Sequence, residues 1–132
     1  MNQVTVRCIK AAFCFLALGI ALGASFAIDR SIGAGLRSLH AQFNLWGWST
    51  LLIYGMAYHM LPRFLGRPLT WPKLAEWQSW LAIIGVSILS FGLLGQRFEW
   101  PLALVCVVLG ALLQGLAALA FACQVGTMLQ KR

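Results

Sequence analysis

His40 and His59 are the side chains whose type and surroundings offer chemistry in this sequence. His40 stands in the stretch Arg37-Ser-Leu-His-Ala-Gln-Phe-Asn-Leu-Trp-Gly-Trp48, near the start of an apolar run. An ionisable group inside a membrane segment costs free energy to place there, so it marks a functional site by default. Neutral imidazole can ligate a metal or pass a proton through its ring nitrogens. Other chemistries have less support. Asp29, Glu76 and Glu99 fall in predicted loops or interfaces and form no paired-carboxylate pattern. There is no phosphate-binding glycine loop and no nucleophile with its base. Cys8, Cys14, Cys106 and Cys123 lack metal or redox spacing and read as small buried apolar residues without a disulfide.

The elements that must position His40 follow from composition. The chain has 132 residues, 61% hydrophobic and 10% charged, against roughly 25% charged in an ordinary soluble domain. It reads as an all-α integral membrane protein, a four-transmembrane-helix bundle forming one domain over residues 1–132. A crossing takes about 20 mostly apolar residues, and four such spans are predicted at 8–28, 39–61, 77–94 and 100–129. Pro62, Pro68 and Pro72 break the loop after the second span, and Pro101 suits the first turn of the fourth. Short connections make neighbouring helices antiparallel. Residues 1–27 share the basic-then-apolar layout of a secretory signal, but the segment is read as a retained first helix.

Orientation follows from lysine and arginine in the short loops. Arg7, Lys10, Arg63, Arg67, Lys73, Lys131 and Arg132 fall on one side, Arg30, Arg37 and Arg97 on the other. Both termini are therefore expected in the cytoplasm, in a bacterial inner membrane. This asymmetry and attraction to anionic headgroups account for the net charge of +7, and no cluster resembles a nucleic-acid surface. Trp71, Trp77, Trp80 and Trp100 stand where interfacial belts are expected.

His40 falls near the outer face and His59 near the cytoplasmic face of the second helix. They are separated by roughly 28 Å at the α-helical rise, too far to grip one metal from the same chain. On an α-helical wheel Asn44, Gly47, Leu51 and Tyr58 lie within about 40° of His40, while His59 is turned about 100° away. Gly47 would leave a flat gap for a porphyrin, Leu51 its apolar floor, and Arg37 a cation for propionates.

The run from Gly35 to Pro68 carries Arg37-x-x-His40, Gly47-Trp48, Tyr58-His-Met-Leu-Pro62-Arg63 and Gly66-Arg67-Pro68. It resembles the second-helix region of haem-copper oxidase catalytic subunits, closest to the nitric oxide reductase and cbb3-type oxidase branch. The resemblance implies that His40 is an axial ligand of haem b, and that the chain supplies one four-helix arc of the subunit I architecture. The family's three-histidine copper site, its His-x-His pair (position 42 is Gln) and its acid-rich proton channel are missing. Reduction of oxygen or nitric oxide by this chain alone is therefore not expected.

One histidine at each membrane level implies a homo-oligomer. A dimer would place one haem between two copies of His40, suited to electron transfer with a quinol or cytochrome. A trimer would mimic the three arcs and leave the iron open for nitric oxide or oxygen. The alternative is a cofactor-free accessory subunit or assembly factor of a respiratory complex, with a small transporter as a third reading. Each residue also has a bland role. His40 can hydrogen-bond a neighbour or headgroup, and His59 reads as an interfacial residue more than a second metal ligand. Asn44 can orient a ligand or bond a helix, and Gln114 reads as helix glue. Gly19-x-x-x-Gly23, Gly110 and Gly115 would let backbones approach closely.

Overall fold

The computed structural model describes residues 2–130, the side chains at 32 and 34 excepted. Lys131 and Arg132, counted above among the basic residues, lie outside the described residues. Among the described residues the chain is entirely helical: α1 (Gln3–Ile28), α2 (Arg30–Gln42), a π-helical segment (Phe43–Thr50), α3 (Leu51–Phe64), α4 (Pro72–Arg97) and α5 (Ala103–Gln130). Helices α1, α4 and α5, of 26, 26 and 28 residues, are long and apolar enough to cross a membrane. The elements α2, π and α3 follow one another without a break and form one composite helix from Arg30 to Phe64.

Most boundaries lie outside the predicted ones. The second helix begins at Arg30, not near residue 39, because Asp29 caps it at once. The Asp29 carboxylate accepts from the Ser31 amide at 2.8 Å, while the Asp29 amide closes α1 on the Ser25 carbonyl. A single residue therefore joins two antiparallel helices. Pro62 sits inside α3, near its last turn, instead of ending it, while Pro72 occupies the first turn of α4. Pro101 lies in the turn just before α5. Cys8 is buried as expected, but Cys14 and Cys123 are exposed.

The distribution of polarity suits lipid. Leu104, Val108, Leu112, Leu116 and Leu119 of α5 point outward, whereas Gln78, Ser79, Gln114 and Gln124 are buried. Apolar surface on that scale would be unstable in water and is at home in hydrocarbon. Helix α4 packs against every other element. Its partnership with α5 is made through glycines: a methyl at Gly92 would lie 2.6 Å from the Val107 amide nitrogen, and one at Gly110 would run into the Leu89 backbone. Small residues thus bring the two backbones together, and Gln114 Nε2 donates to the Gly85 carbonyl at 3.2 Å.

Helix α4 ends in a Schellman turn. The Trp100 amide donates to the Gly95 carbonyl at 3.0 Å and the Glu99 amide to the Gln96 carbonyl at 3.4 Å. The left-handed position, usually glycine, is Glu99 with φ 55°, which costs about 1–2 kcal/mol for a residue with a Cβ.

Candidate functional site around His40

His40 lies in the last turn of α2, just before the π segment, with its ring partly exposed. The ring is seated against α1. A methyl at Gly23 would lie 2.8 Å from His40 Cε1, and the Phe26 ring meets it edge-on at 5.5 Å between centroids. Asn44, one turn on, donates from Nδ2 to the His40 carbonyl at 2.8 Å. The same Nδ2 is 3.3 Å from His40 Nε2 and 3.4 Å from Nδ1. An amide almost equally distant from both ring nitrogens is off either lone-pair axis, so it commits neither nitrogen strongly. Gly19 makes room for that carboxamide: a methyl there would lie 2.8 Å from Asn44 Oδ1. The Gly19-x-x-x-Gly23 pair therefore holds two polar side chains instead of a second backbone.

The π segment begins three residues after His40. The Ser49 hydroxyl donates to the Asn44 carbonyl and the Thr50 hydroxyl to the Leu45 carbonyl, each at 2.9 Å and each five residues back. These bonds reinforce the wide i→i+5 ladder, a geometry that clusters at functional sites.

Of the predicted site residues, only Asn44 is brought against the His40 ring. Arg37 is exposed, one turn before His40, and among the described residues it has no acidic partner. The gap predicted beside Gly47 is filled by Phe15 of α1, whose Cβ would meet a methyl there at 2.5 Å. Leu51 is fully buried in a seam with Trp46, Ala82, Val86 and Gln114, too narrow for a water molecule. Neither residue therefore opens a slot beside His40. His59 stands partly exposed in α3, beyond the π segment. Among the described residues no group of three or more His, Cys, Asp or Glu side chains could hold a metal ion.

A second polar group at the other end of the bundle was not singled out from sequence. Tyr58 donates to Gln78 Oε1 at 3.1 Å, and Arg7 donates to Ser79 Oγ at 2.9 Å. The Arg7 guanidinium also lies 3.8 Å from Glu76 and 4.2 Å from the Trp80 ring centroid. Gln78 Nε2, Thr5 Oγ1 and both amide atoms of Gln124 are buried without a partner among the described residues. The signal was available, since a glutamine within an apolar run is as conspicuous at 78 and 124 as at 114.

Comparison of the chain with protein-family models, with curated proteins and with solved structures finds no match.

Proposed function

We propose that the chain is a four-crossing membrane protein of the haem-copper oxidase subunit I lineage that binds haem b through His40 as a homo-oligomer. The composite helix supplies the fourth crossing, and both termini face the cytoplasm of a bacterial inner membrane. The observation that carries the reading is the His40 imidazole: partly exposed in a membrane protein, with neither nitrogen captured along its lone pair.

The residues present fit half of a haem site. His40 offers one axial nitrogen, Asn44 and Gly23 fix its rotamer, and exposed Arg37 offers a cation for propionates. With Phe15 at Gly47, one chain has no slot of porphyrin size there, so the second wall would come from another copy. When bound, haem would supply one-electron transfer, with a quinol or cytochrome as partner, or an iron that takes nitric oxide or oxygen.

The second reading is a cofactor-free accessory subunit or assembly factor of a respiratory complex. It is favoured by the same filling of the Gly47 gap by Phe15 and by the Asn44 amide against His40.

Absorption spectra of the gently purified protein, oxidised and dithionite-reduced, separate the two. The expected result is b-type bands, lost in His40→Ala with the fold retained. A colourless protein that stays so after reconstitution with haem would leave the accessory reading. Haem content unchanged in His40→Ala would remove His40 from the site.

A further inference from the structure

At the end of the bundle where α4 stops, a half-open recess of about 340 Å³ lies between α2 and the end of α4. That size is at the low end for small-molecule sites. Its wall carries Ser38, Gln96, Arg97 and Glu99, with Leu39 and Leu93 as the apolar part. Among the described residues neither Arg97 nor Glu99 takes part in an ion pair, although both line the same recess. Both side chains are exposed at the end of α4 and reach the recess from there. The Arg97 stem lies against Gly35 of α2, where a methyl would push it aside. Glu99 occupies the left-handed position of the Schellman turn, where glycine would be unstrained. A strained residue that places a charge in a recess points to a use for that charge.

We propose that this recess binds a zwitterion carrying a phosphate and an ammonium group, the phosphate on Arg97 and the ammonium on Glu99. Ser38 and Gln96 supply further hydrogen bonds, and Leu39 and Leu93 receive the adjoining apolar part. One anion or one cation would leave the opposite side chain unanswered, whereas a phosphoethanolamine group answers both. The exposed Phe98 and Trp100 rings on the same turn mark the depth of lipid headgroups. A phosphatidylethanolamine headgroup and free phosphoethanolamine share the recognised chemistry. This site is independent of His40 and of any haem.

Native mass spectrometry of the delipidated full chain tests it, with phosphatidylethanolamine, phosphatidylglycerol and soluble phosphoethanolamine as probes. Phosphatidylethanolamine should be retained over phosphatidylglycerol. Arg97→Gln should weaken its retention about tenfold, as expected for one charge-assisted hydrogen bond. Glu99→Gln should erase the preference between the two lipids. Glu99→Gly separates the recess from the fold, because it should raise the thermal midpoint by relieving the turn and still erase the preference. Binding of soluble phosphoethanolamine as well as the lipid would assign the site to a free zwitterion; retention of the lipid alone would assign it to the membrane. Equal retention of both lipids by the unaltered chain, or a preference that survives both Glu99 variants, would overturn the proposal.

Discussion

Glycine serves opposite purposes in the two halves of this bundle. Between α4 and α5, Gly85, Gly92 and Gly110 face backbone atoms of the partner helix, so removing a side chain brings two main chains together. Between α1 and the composite helix, Gly19, Gly23 and Gly47 face the side chains of Asn44, His40 and Phe15. There, removing a side chain makes a seat for someone else's. Backbone cannot yield to an added methyl, whereas a side-chain terminus can swing away. The α4–α5 pair is therefore the rigid half, and on the α1 face the places where a ring or carboxamide can change position are Gly19 and Gly23, since Gly47 and Gly55 meet the fixed Cβ atoms of Phe15 and Cys8.

The largest break in that contrast is expected from Gly110→Val. Its methyls meet the Leu89 backbone, and overpacking that cannot relax should cost about 3 kcal/mol, read as a lower midpoint in detergent denaturation. An unchanged midpoint would mean that α4 and α5 can separate at little cost. Tyr58→Phe probes the joint between the halves, since Tyr58 in α3 donates to Gln78 in α4. It leaves the Gln78 carboxamide with no partner among the described residues, which should cost about 1–2 kcal/mol in the same denaturation. A neutral outcome would leave the coupling at that end to Arg7 of α1, which bonds Ser79 of α4.

Gly23→Val sharpens the comparison from the yielding side. The new methyls displace the His40 ring, so stability should fall by only about 1 kcal/mol. Reaction of His40 with diethylpyrocarbonate should accelerate at the same time. A stability loss as large as that of Gly110→Val would show the two halves to be equally stiff. The smallest effect belongs to Asp29, at the joint of α1 and α2. Hydrogen bonds from the Ser31 hydroxyl and then its amide hold the Asp29 carboxyl below the usual carboxylate range. The ionised form is favoured by the fold, so its contribution is present above about pH 4 and fades as the pH falls through the lowered value. Asp29→Asn should keep the cap and flatten that part of the acid denaturation profile; an identical profile would deny Asp29 the role.

What sequence revealed and what it hid follow from the kind of signal each feature leaves. Apolar length exposed the long helices, and the lone Gln114 was read correctly as a bond between helices, here to the Gly85 carbonyl. Gly110 meets a neighbouring backbone as expected, whereas Gly115 faces open space, because the two lie on different sides of α5. The early start of α2 was hidden because Arg30-Ser-Ile-Gly-Ala-Gly is too polar to read as a crossing. The π segment left no trace, since an i→i+5 ladder has no apolar periodicity of its own over eight residues. Gly19 and Gly23 were legible as a place of close approach, but their occupants were not. Spacing on one helix does not identify the residue opposite, and His40, Asn44 and Phe15 all depend on how α1 lies against the composite helix.

The one-residue joint at Asp29 also constrains how the chain can move. A helical pair with no slack between its members can part only by giving up the Asp29–Ser31 cap or the last turn of α1. Any movement of His40 relative to Gly23 is therefore a hinge about Asp29 and not a slide of one helix along the other.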